Sequence, residues 1–196
     1  MIRTLSVLLM SAMAGAVIQQ TEPMALTDRD RDVYAIYSLL LTNPPTPIPV
    51  ATDAPYWIAA ETRPLSLVLP ADSNELWKQL WSRCNAPPDG YESKWQEILA
   101  DYTPEKDIPA MLLRQFNIQR SYVLIKKDEF GSGTNPGVVF ALSNIWFNKD
   151  RTLAATRILA TSCGTLCGHS ERSVYERLSD GGWKEVVETN RCTMDA

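Results

Sequence analysis

Histidine is nearly missing from this chain: there is one among 196 residues. That excludes histidine-rich metal cages and leaves His169 as the sole imidazole for a serine or cysteine triad. A basic excess is missing as well. Lysine and arginine total 19 against 23 aspartates and glutamates, a net charge of −4, which argues against a nucleic-acid partner. Beyond the first eighteen residues no apolar run approaches the roughly 20 needed to cross a bilayer. Internal repeats, low-complexity tracts and flexible linkers are absent from the sequence. Gly131-Ser132-Gly133 has no Lys-Ser/Thr after it and is no phosphate loop. What is present, 45% apolar and 21% charged residues, suits one folded domain with a real core and excludes intrinsic disorder.

The start reads as an export signal. Arg3 supplies a basic head, Thr4 to Ile18 carries no charge, and Ala14-Gly15-Ala16 fits the small-x-small pattern of a cleavage site. Residues 1–16 are expected to be a signal peptide and 17–196 a single domain, periplasmic or secreted. No cysteine lies near the cleavage point to carry a lipid, and no membrane insertion is expected after cleavage. Arg3 leaves with the leader, taking the net charge to −5, so a basic membrane-binding patch has no support.

The mature chain has two textures. Thr27 to Leu41 predicts a helix, with Thr27 and Asp30 as a capping box and Val33, Ile36, Tyr37, Leu40 and Leu41 on one face. Asn43-Pro44-Pro45 ends it. Eleven of the thirteen prolines fall between residues 44 and 109, so only short elements are expected there: a strand at Tyr56 to Glu61 and helices at Asn74 to Arg83 and Tyr91 to Asp101. Four of the six tryptophans also fall there, and their first reading is core packing rather than a sugar platform. From Ser121 onward strands dominate: Tyr122 to Ile125, Val138 to Phe147, Thr152 to Ser162, and a hairpin of Ser173 to Ser179 with Trp183 to Thr189. Short turns at 148–151 and 180–182 imply an antiparallel meander. The fold class expected is α+β, with N-terminal helices packed on a C-terminal antiparallel β-meander that needs cover on one face.

Cys84, Cys163, Cys167 and Cys192 carry the sharpest signal. An even count in an exported chain favours disulfides. Gly164 and Gly168 let the Cys163–Cys167 connection bend tightly, which leaves Cys84 for Cys192 and closes a long loop worth about 4–5 kcal/mol on the chain-entropy model. Two alternatives stand beside this. Cys163, Cys167 and His169 could ligate copper or zinc, or the two thiols could form a redox pair. The C-x-x-x-C spacing is similar to that of copper chaperones with a thioredoxin-like fold, but here it lies between strands. Other chemistry is weaker. His169 with Ser170 and Glu171 reads as an exposed loop. Asp28, Asp30 and Asp32 alternate with arginine and lack the glycine and distal glutamate of a calcium loop, so they read as helix-start acids facing the macrodipole. Glu61, Arg63 and Glu97 are cleft candidates that the sequence alone does not bring together.

Four segments together carry a resemblance. Asp32-Val33-Tyr34-Ala35-Ile36-Tyr37-Ser38, Leu142 to Ala154, Cys163-Gly164-Thr165-Leu166-Cys167-Gly168 and Gly182-Trp183-Lys184-Glu185-Val186 follow one another in this order. The order resembles a family of uncharacterised exported bacterial proteins with a Y-A-V-Y-S helix, an F-N-x-D-x-T-x-A hairpin, a C-G-x-L-C-G turn and a G-x-W-K-V ending. Asn144 and Trp146 depart from that pattern, which has arginine and glycine there. The resemblance covers most of the mature chain and implies a fold and export, not a reaction. The expected function is therefore a non-catalytic binding or structural module stabilised by disulfides, with no cofactor, whose partner is a small molecule, an envelope component or a protein. The other class is an exported metal or thiol-redox protein using Cys163, Cys167 and His169.

Overall fold

The computed structural model describes residues 25–44, 54–67, 79, 82–126, 138–161, 168–186 and 193–195. The expected leader, Trp77 and Trp81, and most of the helix expected at 74–83 lie outside these residues. Helix α1 spans Asp28–Thr42. The Thr27 hydroxyl accepts from the Asp30 N–H at 3.2 Å, and the Asp30 carboxylate accepts from the Thr27 N–H at 3.1 Å. These reciprocal bonds satisfy backbone donors that the first turn leaves open. The Thr27 side chain, and after it the Thr27 backbone, holds the Asp30 carboxyl below its ordinary range. Helix α2 spans Glu92–Asp101 and buries Trp95 and Ile98, as its spacing predicts.

Eight strands are found among the described residues: β1 Tyr56–Ala59, β2 Tyr122–Ile125, β3 Val139–Leu142, β4 Trp146–Phe147, β5 Leu153–Thr161, β6 Gly168–Arg177, β7 Trp183–Glu185 and β8 Thr193–Asp195. They form one sheet in the order β2-β1-β3-β5-β6-β7, with β4 beside β5 and β8 beside β6. The class is α+β, but the sheet is mixed rather than an antiparallel meander throughout. β3, β5, β6 and β7 do run antiparallel in sequence, whereas β1 pairs parallel with both β2 and β3. Parallel neighbours need a crossover, and the proline-rich stretch with α2 supplies the one from β1 to β2.

The two faces of the sheet carry two buried clusters. On one, Ile36, Tyr37, Leu40 and Leu41 of α1 join Ile58, Phe140, Leu142, Ile158, Tyr175 and Trp183. On the other, Trp95 and Ile98 of α2 join Leu65, Leu67, Leu153, Ala155 and Val174. Cover therefore lies on both faces, not one. This is why β5 is buried over Leu153–Thr156 without alternation.

The continuous strand expected over Val138 to Phe147 is broken. Ser143 still donates its N–H to the Arg157 carbonyl of β5 at 2.8 Å while bridging Arg63, and the Asn144 N–H turns to the Arg63 carbonyl at 2.8 Å. β4 then resumes against β5. The turn that follows is built by Asn148, which is 3% exposed. Its Oδ1 accepts the N–H groups of Thr152 at 2.9 Å and Leu153 at 2.7 Å. Its Nδ2 donates to Asp150 at 2.6 Å and to Glu97 of α2 at 3.1 Å. One amide side chain thus closes the hairpin and moors a helix to it.

Replacing Asn148 with alanine leaves the buried Leu153 N–H without its acceptor. The expected loss is about 2–3 kcal/mol in urea unfolding at unchanged m-value. Asp150 gives a pH test. The Thr152 hydroxyl holds its carboxyl below the ordinary range, so its contribution is complete above the ordinary aspartate value. That contribution fades as pH falls through that value and then through the lower folded one. Between pH 7 and pH 3, Asp150→Asn should lose less of its urea midpoint than the native chain; equal losses would discard this role.

Candidate functional site

The Tyr-Ala-Ile-Tyr-Ser segment of α1 is spent on packing and on three tethers. The Tyr34 hydroxyl accepts the Leu113 N–H at 2.7 Å, and the Ser38 hydroxyl accepts the Asn117 N–H at 2.8 Å. The Tyr37 hydroxyl donates to the Ser143 carbonyl at 2.7 Å across the sheet face. Burial raises the Tyr37 phenol well above its ordinary value. Tyr34, Tyr37 and Phe116 meet edge-on or tilted, with ring centroids 5.5–6.2 Å apart.

A cleft of about 550 Å³ opens between α1 and the segment from Asp101 to Leu112. Its floor is Thr62, Asn144, Ile145 and Trp146, and its rim carries Arg29, Asp30, Asp101 and Lys106. Beneath the floor lies Asp107, 2% exposed. Its Oδ1 accepts from Asn144 Nδ2 at 2.8 Å and from Trp146 Nε1 at 3.3 Å. Its Oδ2 accepts from the Tyr102 hydroxyl at 2.9 Å and the Ser66 N–H at 3.1 Å. Burial first, and the bond to Asp107 second, push the Tyr102 phenol up to about 12. Asn144 also donates to the Ile108 carbonyl at 2.8 Å and accepts from the Thr62 hydroxyl at 2.5 Å. The floor is therefore fixed, with its polar groups turned into the protein. Ile108 and Met111, 66% and 58% exposed, stand at the lip.

On the other flank of α1, Asp32 forms a second hub. Its Oδ1 accepts from Trp183 Nε1 at 3.1 Å, and its Oδ2 from Arg177 at 3.2 Å and Arg151 at 3.4 Å. A cavity of about 340 Å³ lies against it. The helix-start account suits Asp30 but not Asp32. Asp32 is buried and tied to three later elements. Nothing in the alternating Asp-Arg run separates the two; the signal is that position 32 shares the helix face of Ile36.

The cysteine and histidine candidates are placed unevenly. Cys84 is buried. Cys163, Cys167 and Cys192 lie outside the described residues. His169 is not in a loop as the sequence suggests but within β6, opposite Ala160 of β5 and Asp195 of β8. Strand alternation puts Glu171 on the same face, with its carboxylate 3.7 Å from His169 Nε2. Among the described residues no group of three or more His, Cys, Asp or Glu side chains is gathered as metal ligands would be. Glu61 and Arg63 are exposed bridge residues, and Glu97 is the acceptor for Asn148. None of the three lines either of the two cavities described above.

On the α2 face, Arg157 and Arg172 sit opposite each other across β5 and β6. Burial, and after it the charge of Arg172, brings the Arg157 guanidinium down to about 10. Arg157 reaches Asn85 at 3.4 Å, and Arg172 donates to the Ala86 carbonyl at 2.8 Å while stacking 4.7 Å over Trp95. Together they hold the segment after Cys84 against the sheet.

Asp107 offers a test that size alone cannot mimic. All four of its partners are donors, so Asp107→Asn must aim an amide NH₂ at two of them. We expect a loss of about 2–4 kcal/mol in urea unfolding, with the Trp146 fluorescence environment changed, despite the near-identical shape. A neutral outcome would show that the floor does not depend on this carboxylate.

Comparisons with family models, with curated proteins and with solved structures each return no match for this chain, so its function has to be argued from the side chains above.

Proposed function

We propose that this is an exported binding module without catalysis of its own, stabilised by disulfides, that takes an apolar or amphipathic small molecule or an envelope partner. It acts without a nucleic acid and without membrane insertion once the leader is removed. In this reading the N-terminal helices pack on the C-terminal antiparallel strands, and the ligand enters at their junction beside α1. The observation that carries it is the pairing of a fixed floor with an apolar lip. Ile108 and Met111 are the two most exposed large apolar side chains among the described residues, and both border the cleft over Thr62 and Asn144. Exposed apolar groups around a preformed concavity mark a binding surface. No helix among the described residues is long and apolar enough to cross a membrane.

The same proposal pairs Cys84 with Cys192 and Cys163 with Cys167. Support for the first comes from neighbours in the chain. Thr193 pairs with Glu171 on β6, and the next residue, Arg172, bonds the carbonyl of Ala86, two residues after Cys84. Neighbours of the two cysteines in the chain thus meet the same stretch of β6, which supports the pairing. For the second, Thr161 and Gly168 face each other as the last pair of β5 and β6, and both cysteines fall in the connection they close.

Two measurements test this. The double variant Ile108→Ser, Met111→Ser should fold with an unchanged melting temperature, because both side chains stand in water. It should lose the amide shifts at Thr62, Asn144 and Ile145 that apolar fragments induce in the native chain. Fragment shifts scattered over the surface, or unaffected by the variant, would remove the cleft from consideration. Intact mass and non-reducing peptide maps of the exported protein should show cleavage after Ala16, no free thiol and a Cys84–Cys192 crosslink. Two reactive thiols, or stoichiometric copper or zinc, would favour the Cys163, Cys167 and His169 reading.

A further inference from the structure

We propose that the 340 Å³ cavity beside the start of α1 binds the carboxylate of a small organic acid, gripped by Arg151 and Arg177. This site lies on the opposite flank of α1 from the apolar cleft and does not depend on that reading. Its walls bring together Arg31, Arg151 and Arg177 with Asp28 and Asp32. Three guanidinium groups against two carboxylates leave one positive charge over. A monocarboxylate would neutralise it; a phosphate dianion would overshoot.

A guanidinium offers five donors in a planar fork that matches a carboxylate edge. Arg151 spends one on Asp32 at 3.4 Å, and Arg177 spends one at 3.2 Å. Both side chains line the cavity, 39% and 32% exposed, and the Arg177 guanidinium also lies 5.6 Å over the Trp183 ring. The third arginine, Arg31, is engaged by Asp28. Asp32 cannot swing away to pair more fully, because its other oxygen is held by the Trp183 indole N–H. Asp180, at the nearby turn, directs its carboxylate to the Gly182 N–H at 2.9 Å. Ala35 and Trp183 complete the wall with apolar surface for the carbon skeleton of the acid.

A second observation singles out Arg151. Its φ is +55°, a conformation that favours glycine or asparagine. Among the described residues the side chain carried at this position makes one hydrogen bond, the long one to Asp32. Strain of this kind, coupled to a side chain that reaches a cavity, is what binding sites retain.

The test is a titration of ¹⁵N-labelled protein with sodium acetate and sodium benzoate. Parallel series use sodium phosphate and sodium chloride at matched ionic strength. The Trp183 indole signal, assigned with Trp183→Phe, is the reporter because its N–H sits on Asp32. Acetate or benzoate should shift it saturably, benzoate more tightly, with chloride inert and phosphate weaker by about tenfold. Arg151→Gly relieves the left-handed backbone while deleting one fork, and should weaken the carboxylate response about tenfold with the remaining spectrum native. Arg177→Gln should do the same without touching the turn. The proposal is overturned if neither carboxylate moves the indole, if chloride or phosphate moves it equally, or if both variants bind as the native chain does.

Discussion

Asp32 and Asp107 are carboxylates withdrawn from water, and a carboxylate so placed must be met by donors or it costs the fold several kcal/mol. Both are met by groups far along the chain. Trp183 reaches Asp32 from 151 positions away, and Trp146 reaches Asp107 from 39. This matters because residues 60–67 and 102–112 belong to none of the strands or helices and join each other and Ser143 through isolated bridges. Side-chain acceptors add to those bridges. Asp107 gathers Ser66, Tyr102, Asn144 and Trp146, so one buried group sets the position of two loops and a strand junction.

Helix α1 lies between the two concavities and contributes to both. Alternating residues divide the labour: Asp28, Arg31 and Asp32 turn to one side, and Arg29, Asp30, Val33 and Tyr34 to the other. The floors differ in character. Beside Asp32 the donors are charged, with capacity unspent. Above Asp107 they are neutral and consumed internally. The first suits an anion, and the second suits surface that prefers to leave water.

Local signals were readable from the residues alone. The capping box of Thr27 and Asp30, the buried stripe of α1, the Trp95–Ile98 face of α2 and the turns at Asn148 and Asp180 each follow from a spacing or a side-chain preference within a few positions. The mixed sheet was not readable. Whether β1 joins from the parallel or the antiparallel direction is decided by a crossover whose path no local pattern encodes. The break at Asn144 was hidden for a related reason: Val138 to Phe147 has the composition of one strand, and the distant partners Arg63 and Asp107 hold Asn144 out of it. The hubs were missed because a buried aspartate looks like an exposed one until its donors are known. Asn144 and Trp146, which stand in that same segment, both donate to Asp107.

β1 is only four residues long and sits between β2 and β3, both of which lie later in the chain. On a chain made from its N-terminus, β1 emerges long before either neighbour and waits with both edges bare. The centre of that half of the sheet cannot form as a hairpin, because both of its pairings are parallel and need long connections. Brevity limits how much sticky edge is offered meanwhile. The place of β1 therefore rests on pairings of large sequence separation, Trp57 with Val123 and with Val139.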